Sequence, residues 1–246
     1  YAYENIHFPE SEEALDLARR RLAFEELFLF TVGLRRLRQR RETVSVVPFQ
    51  KVDMAPFYDA LPFTLTGAQR RCVEEAITDM ASGAPMNRLC QGDVGSGKTM
   101  VAAACVYFCV KNGRQAALMA PTEILARQHF TGLAPLLEKL GIRCVLLTGS
   151  TPAREKKAVT ARLSAGEADF AIGTHALISQ GVDYQNLGLV VTDEQHRFGV
   201  GQRAALAAKG SHPHTLVMSA TPIPRTLALI LYGDLDVSII DQLPPG

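Results

Sequence analysis

The sequence lacks a marked excess of charge, and it lacks long apolar runs. Its 246 residues include 26 Lys and Arg against 25 Asp and Glu, which leaves a formal net charge of +1. A chain so close to neutrality has no overall attraction for nucleic acid, so any nucleic-acid surface must be local. No apolar run is long enough to span a membrane, and no signal-peptide pattern follows Tyr1. We therefore expect a cytoplasmic protein without a membrane partner and, because Met is not the first residue, a fragment of a longer one.

The cysteines lack the spacing of a metal or redox site. None of the five stands in a C-x-x-C pair. Cys105 and Cys109 lie one helical turn apart, but no His or second Cys pair completes a ligand set. We expect the thiols to be buried small apolar groups in a reducing cytosol.

Residues 1–60 carry one long helical pattern followed by a proline-containing connector. Ser11 is a suitable N-cap with acidic residues after it, and the pattern predicts a helix to about Arg41 with Gly33 as its weak point. The end of this helix is basic, which fits either a solvated helix terminus or a contact with phosphate or another domain. Its arginines are Arg35, Arg36, Arg38, Arg40 and Arg41. We treat residues 1–60 as a helical linker and residues 61–246 as one domain.

From Phe63 onward, short apolar runs alternate with helical stretches. This rhythm predicts an α/β fold in which helices sandwich a mainly parallel sheet. Thr122, Thr151 and Thr221 each stand beside a proline and are predicted to cap helices. The predicted strands are residues 88–90, 115–120, 143–148, 170–173, 187–192 and 215–219.

Residues 92–99 match the complete P-loop pattern G-x-x-x-x-G-K-[ST], between a short strand and a buried helix over 100–110. Backbone N–H groups of such a loop converge on phosphate oxygens, Lys98 reaches the β- and γ-phosphates, and Thr99 offers its hydroxyl to Mg²⁺. A glycine-rich turn that binds nothing is the alternative. The predicted nucleotide-binding residues here are Gly92, Asp93, Val94, Gly95, Ser96, Gly97, Lys98 and Thr99.

An acidic pair follows the predicted strand over 187–192. Asp193 and Glu194 would stand at the carboxyl end of a parallel strand, where ligands bind in open α/β sheets. Asp193 can hold Mg²⁺ through its water shell, and Glu194 can orient and deprotonate the water that attacks the γ-phosphate. An exposed acidic pair at a strand end is the alternative. Together with the P-loop, the pair predicts ATP hydrolysis with Lys98 as a further catalytic group.

Several stretches resemble the motifs of superfamily 2 helicases. Residues 193–196 (Asp-Glu-Gln-His) resemble motif II and residues 219–221 (Ser-Ala-Thr) motif III. Residues 121–123, 148–150 and 173–175 resemble strand-contacting motifs, and residues 63–69 resemble the adenine-reading Q motif. Residues 92–99, 120–129, 193–200, 219–228 and 233–246 together are similar to the RecG family of bacterial branched-DNA helicases. Transcription-repair coupling factors share residues 197–200 and 221–227 and are one alternative; an ATP-binding switch module without nucleic acid is another.

The resemblance implies a RecA-like first motor domain that uses ATP and Mg²⁺ and remodels branched DNA. It implies that Gln69 reads the adenine edge and that Phe63 covers the ring. Gln69 is equally the third residue of a capping box that starts at Thr66, and Phe63 could be a core residue. The implied DNA-contacting residues are Thr122, Arg127, Gln128, Thr148, Gly149, Thr174 and His175. The implied residues that couple hydrolysis to DNA are His196, Ser219 and Thr221.

The resemblance also implies partner domains outside the chain. A DNA-reading wedge domain would precede Tyr1, and a second RecA-like domain would follow Gly246 and supply an arginine finger. We expect a monomer. We also expect the isolated chain to bind nucleotide weakly, to turn over ATP near the background rate and not to unwind DNA.

Overall fold

The computed structural model describes residues 1–42, 45–193, 205–220 and 235–243 of the chain. Seven strands in these residues form one sheet, and every paired neighbour runs parallel. The strands are β1 Asn87–Gly92, β2 Gln115–Met119, β3 Cys144–Leu147, β4 Phe170–Gly173, β5 Leu187–Asp193, β6 His214–Ser219 and β7 Asp236–Ile240. Their order in the sheet is β3-β4-β2-β5-β6-β1-β7.

Helices cover both faces of this sheet, as the alternating pattern predicts. The helices are α1 Ala2–Asn5, α2 Glu12–Glu42, α3 Ala55–Ala60, α4 Gly67–Met80, α5 Lys98–Lys111, α6 Glu123–Lys139 and α7 Ala153–Ser164, with a 3₁₀ turn at His175–Ile178. In β2, Ala116 and Leu118 pack with residues of α4, α5 and α6, whereas Ala117 and Met119 pack with residues of α7. Successive strand residues point to opposite faces, so this division defines two cores around one central layer.

The long N-terminal helix is confirmed. Ser11 Oγ accepts a hydrogen bond of 3.1 Å from the Ala14 N–H at its start, as an N-cap does. The connector after this helix is packed onto the sheet domain, since Phe49 and Phe57 are buried in the same core as α4 and α5. All five cysteines are buried free thiols, as expected. Within the described ranges, no helix has both the length and the apolar character to cross a membrane.

The predicted helix starts are confirmed only in part, and one strand was not predicted. Thr122 caps α6 as predicted, because its Oγ1 accepts from the Leu125 N–H at 3.3 Å. Thr151 does not cap α7: Pro152 holds the N-cap position, and Thr151 Oγ1 accepts from the Thr148 N–H at 2.9 Å, which closes the turn after β3. The predicted cap at Thr221 lies outside the described residues. Strand β7, which pairs with β1, has no counterpart among the predicted strands.

Arg88 anchors the strand that leads into the P-loop. Its side chain is only 10% exposed and donates to Asp79 at 2.7 Å, to Glu75 at 2.8 Å and to Ser238 Oγ at 2.6 Å. These bonds join β1 to α4 and to β7. The buried positive charge of Arg88 is therefore paired with two carboxylates, which offsets the cost of removing it from water.

His214 makes stability depend on pH. Its Nδ1 accepts from the Met86 N–H at 2.9 Å, and the Phe49 ring packs edge-on with centroids 4.6 Å apart. Burial, with the charge of Arg114, lowers the pKa of His214 from 6.5 to about 4. The neutral form is thus the one that the fold favours, and stability is complete above pH 6.5 and falls as the pH drops toward 4.

Because His214 binds a proton more readily in the unfolded chain, we expect the free energy of unfolding to fall by about 3 kcal/mol between pH 7 and pH 4. His214→Asn keeps an acceptor for the Met86 N–H but cannot titrate, so its stability should fall less over this range. Urea unfolding at several pH values measures the difference, with the exposed His7→Asn as control. Equal pH dependence of His214→Asn and wild type would contradict the assignment.

Candidate functional site

The parallel sheet brings the sequence motifs to one edge, because the carboxyl ends of all its strands meet there. The strand order then divides them into two groups. Strands β1, β5 and β6 are neighbours, and they end at Gly92, Asp193 and Ser219. Strands β2, β4 and β3 are neighbours on the other side, and they lead to Thr122, Thr174 and Thr148.

The P-loop is formed and is held by its own lysine. Gly97 is the N-cap of α5 and has φ +82°, a conformation that favours glycine, and a Cβ at this position would also displace the Gln69 amide. Lys98 Nζ donates to the carbonyls of Gly92 at 2.7 Å and Asp93 at 2.8 Å. Ser96 Oγ is buried and has no hydrogen-bond partner among the described residues. An orphaned hydroxyl beside a helix N-terminus fits an anionic ligand such as a phosphate.

Beside the loop lies a cavity of about 400 Å³, which we call the P-loop pocket. It joins the start of α5, the end of β5 and one side of α6. A threonine hydroxyl and a carboxylate are oxygen ligands of the kind that Mg²⁺ prefers, so the lining fits a metal–phosphate group. The polar residues of its lining are Lys98, Thr99, Gln128, His129 and Asp193.

His129 is a site residue that sequence reasoning missed. Its Nε2 lies 2.6 Å from Asp193 Oδ2, and the two side chains are only 10% and 14% exposed. His129 stands in the second turn of α6, seven residues after the cap at Thr122. The only sequence signal was its place at the end of the family-like stretch 120–129, which assigns it no role.

Gln69 performs the capping role and also contacts the P-loop. Its Oε1 accepts from the Thr66 N–H at 2.9 Å, its N–H donates to Thr66 Oγ1 at 3.2 Å, and its Nε2 donates to the Ser96 carbonyl at 2.8 Å. Phe63 is 49% exposed and lines a cleft of about 380 Å³ with Tyr58 and Arg70. Phe63 is therefore a surface aromatic and not a core residue.

The second group of residues forms a cluster that we call the polar edge: Thr122, Arg127, Thr148, Gly149, Thr174 and His175. A Cβ on Gly149 would lie 3.0 Å from Glu123 Oε1 and 4.0 Å from His175 Cε1, so the ends of β2, β3 and β4 are in contact. Thr174 Oγ1 is buried without a hydrogen-bond partner among the described residues. Gln128, predicted with this group, lines the P-loop pocket instead.

Glu123 joins two elements of the polar edge by hydrogen bonds, and the sequence did not predict this role. Its Oε1 accepts from the Ser150 N–H at 2.9 Å, and its Oε2 accepts from the Ser150 hydroxyl. Arg127 Nη2 donates to the same hydroxyl at 3.3 Å. The hydrogen bond from Ser150 lowers the pKa of the Glu123 carboxyl. The first turns of α6 and the loop after β3 therefore form one connected unit.

Three predicted residues, Glu194, His196 and Thr221, lie outside the described residues. Their described neighbours are Asp193, the last residue of β5, and Ser219, the last residue of β6. Ser219 is buried and pairs in register with Gln91, just before the P-loop.

Comparison with known proteins agrees with this arrangement. ATP-dependent DNA helicases RecG from Synechocystis sp. and Bacillus subtilis are 53% and 49% identical over the whole chain, which covers 30% and 36% of their lengths. The chain thus spans about a third of these relatives. A structure of RecG bound to a three-way DNA junction is 46% identical, with a TM-score of 0.86, and covers the whole chain and 33% of that protein.

Two further comparisons define the fold family. The UvsW helicase of bacteriophage T4 shares the fold at 13% identity, with a TM-score of 0.54 over 82% of the chain and 64% of that protein. Residues 66–230, which include both the P-loop and the Asp193-Glu194 pair, match the DEAD/DEAH box helicase family. The chain therefore belongs to the DEAD/DEAH box helicase family.

Proposed function

We propose that the chain is the first RecA-like motor domain of an ATP-dependent DNA helicase that remodels branched DNA. The proposed substrates are stalled forks and Holliday junctions in recombination and repair. One observation carries this proposal: a single sheet edge holds a P-loop pocket on β1, β5 and β6 and a polar edge on β2, β3 and β4. The whole-chain similarity to RecG, one of whose structures holds a three-way DNA junction, supports the choice of DNA.

In this proposal the P-loop pocket binds ATP and Mg²⁺. Lys98 leaves the loop carbonyls and pairs with the β- and γ-phosphates, while Thr99 and Asp193 hold the cation. The cation neutralises charge on the phosphates when bound. We assign Glu194 the positioning and deprotonation of the attacking water.

The adenine would lie in the cleft beside Phe63. The amide of Gln69 has two donors and an acceptor oxygen with two lone pairs, and the bonds described above use one of each. One N–H and one lone pair therefore remain for the adenine edge. His196, Ser219 and Thr221 are proposed to link hydrolysis to the grip on DNA.

The polar edge would follow a DNA backbone. Small residues, hydroxyls and a helix N-terminus suit contact with phosphates that does not depend on sequence. An ATP-driven switch module that moves only a protein partner would have no use for such an edge beside its P-loop pocket.

We also propose that residues 1–60 connect this motor to a wedge domain and that a second RecA-like domain completes the ATP site. The exposed apolar side chains of α2, among them Phe24, Leu27 and Phe28, support a docked neighbour along that helix. The complete protein would act as a monomer in the bacterial cytoplasm, on the nucleoid.

Removing the Arg127 and His175 side chains from the polar edge tests this function. In the full-length protein, the double variant Arg127→Ala/His175→Ala should bind a three-way DNA junction about tenfold more weakly. Its affinity should also fall less steeply with salt concentration, by the slope that corresponds to about one phosphate contact. Its nucleotide affinity should not change. The control is Lys139→Ala, which removes an exposed cation at the other end of α6, about 26 Å from Thr122. Unchanged junction binding by the double variant would contradict the assignment.

A further inference from the structure

We propose that His129 is a positioning residue that orients Asp193 for Mg²⁺ and, through α6, links the polar edge to the metal site. The proposal rests on the ATP site proposed above. It differs from that proposal in assigning α6, whose first turns form part of the polar edge, a second role as a wall of the P-loop pocket.

The contact between His129 and Asp193 has the geometry of an orienting hydrogen bond. His129 Nε2 lies 2.6 Å from Asp193 Oδ2, and because a carboxylate oxygen only accepts, the ring nitrogen is the donor; both side chains are nearly buried. This bond fixes the carboxylate plane and leaves the lone pairs of Oδ1 for a cation or its water. A partner hydrogen-bonded to a ligating carboxylate holds it in one orientation, and loss of such a partner weakens metal binding.

Helix α6 connects this bond to the polar edge. His129 is seven residues from Thr122, a distance of about 10 Å along the helix axis. At the near end, Glu123 and Arg127 bind Ser150 in the loop after β3. Ala126 and Leu133 of the same helix pack into the main core on either side of His129. We infer that a DNA backbone that displaces the first turns of α6 also displaces His129 relative to Asp193.

If His129 competed with the cation instead of orienting Asp193, its removal would change Mg²⁺ binding in the opposite direction. A histidine that merely occupied Asp193 in place of the cation would compete with Mg²⁺, and its removal would strengthen metal binding. A positioning residue does the reverse, because its removal leaves the carboxylate free to rotate. The direction of the change in Mg²⁺ requirement therefore distinguishes the two roles.

The experiment uses the full-length protein and a fluorescent, non-hydrolysable ATP analogue, whose binding is measured over a range of Mg²⁺ concentrations. His129→Phe keeps a ring but cannot donate, and His129→Gln restores a donor. We expect His129→Phe to need about tenfold more Mg²⁺ for half-maximal tight binding. His129→Gln should recover most of the difference. Thermal unfolding checks that the variants fold, and His129→Leu replaces the Phe variant if the larger ring is not accommodated.

A second measurement adds a three-way DNA junction to the same titration. We expect the junction to lower the Mg²⁺ requirement of the wild type but not of His129→Phe, with the exposed His7→Phe behaving like the wild type. An unchanged or lower Mg²⁺ requirement in His129→Phe would overturn the inference while leaving the ATP site intact. Failure of the wild type to bind the analogue with Mg²⁺ would instead overturn the proposed function.

Discussion

Replacing Lys98 by alanine in the full-length protein is expected to lower the rate of ATP hydrolysis at least about a hundredfold, to near background, while branched-DNA binding remains largely intact. The ammonium group of Lys98 is held in the P-loop by two carbonyls, where a bound triphosphate would provide charged partners. Removing a group that stabilises charge on the transferred phosphoryl group costs two to three orders of magnitude in rate. Steady-state hydrolysis and junction binding, measured on the same preparation, test both halves of the prediction.

The matched control is Lys111→Ala at the other end of the same helix. Lys111 is exposed, and it lies outside the P-loop pocket. This variant should hydrolyse ATP at the wild-type rate. Loss of DNA binding without loss of hydrolysis in Lys98→Ala would show that the P-loop has been assigned the wrong role.

Gly173→Ala is expected to destabilise the protein by about 3 kcal/mol, a large effect for one methyl group. A Cβ at Gly173 would overlap the carbonyl oxygen of Leu147, its partner in register on β3. The obstacle is backbone, so the ends of β3 and β4 would have to separate. Because the polar edge begins there, weaker junction binding should accompany the loss of stability.

Chemical denaturation of Gly173→Ala and Gly33→Ala side by side measures the effect. Gly33 is exposed in α2, and a Cβ there would meet nothing within 4 Å. Its substitution should be neutral or stabilising by up to about 1 kcal/mol, because alanine favours helix more than glycine does. A Gly173→Ala variant as stable as the wild type would show that β3 and β4 are not packed as described.

The strands were predictable where burial on both faces leaves a continuous apolar run. Residues 170–173 and 187–192 satisfied this rule and form β4 and most of β5. Strand β7 did not: Asp236 and Ser238 interrupt its apolar residues, and the Ser238 hydroxyl bonds to Arg88 and Glu75, which are distant in sequence. Its position depends on long-range pairing with β1, which no local pattern contains.

Motifs could be recognised from the sequence, but contacts between them could not. The capping box at Thr66 was visible because both partners lie within four residues, whereas the bond from Gln69 to the Ser96 carbonyl spans 27 residues. The pair His129 and Asp193 spans 64 residues and depends on how α6 lies over β5. Thr151 was misread because its hydroxyl closes the preceding turn instead of capping the next helix.

The most direct test of the central claim is the rate of ATP hydrolysis by the full-length protein with and without DNA. If one sheet edge joins a P-loop pocket to a DNA-binding edge, a three-way junction should stimulate hydrolysis strongly, and more than linear duplex of equal length. The Arg127→Ala/His175→Ala variant should require more junction for the same stimulation. Hydrolysis that proceeds at the same rate with and without any DNA would contradict the claim that this chain drives a DNA motor.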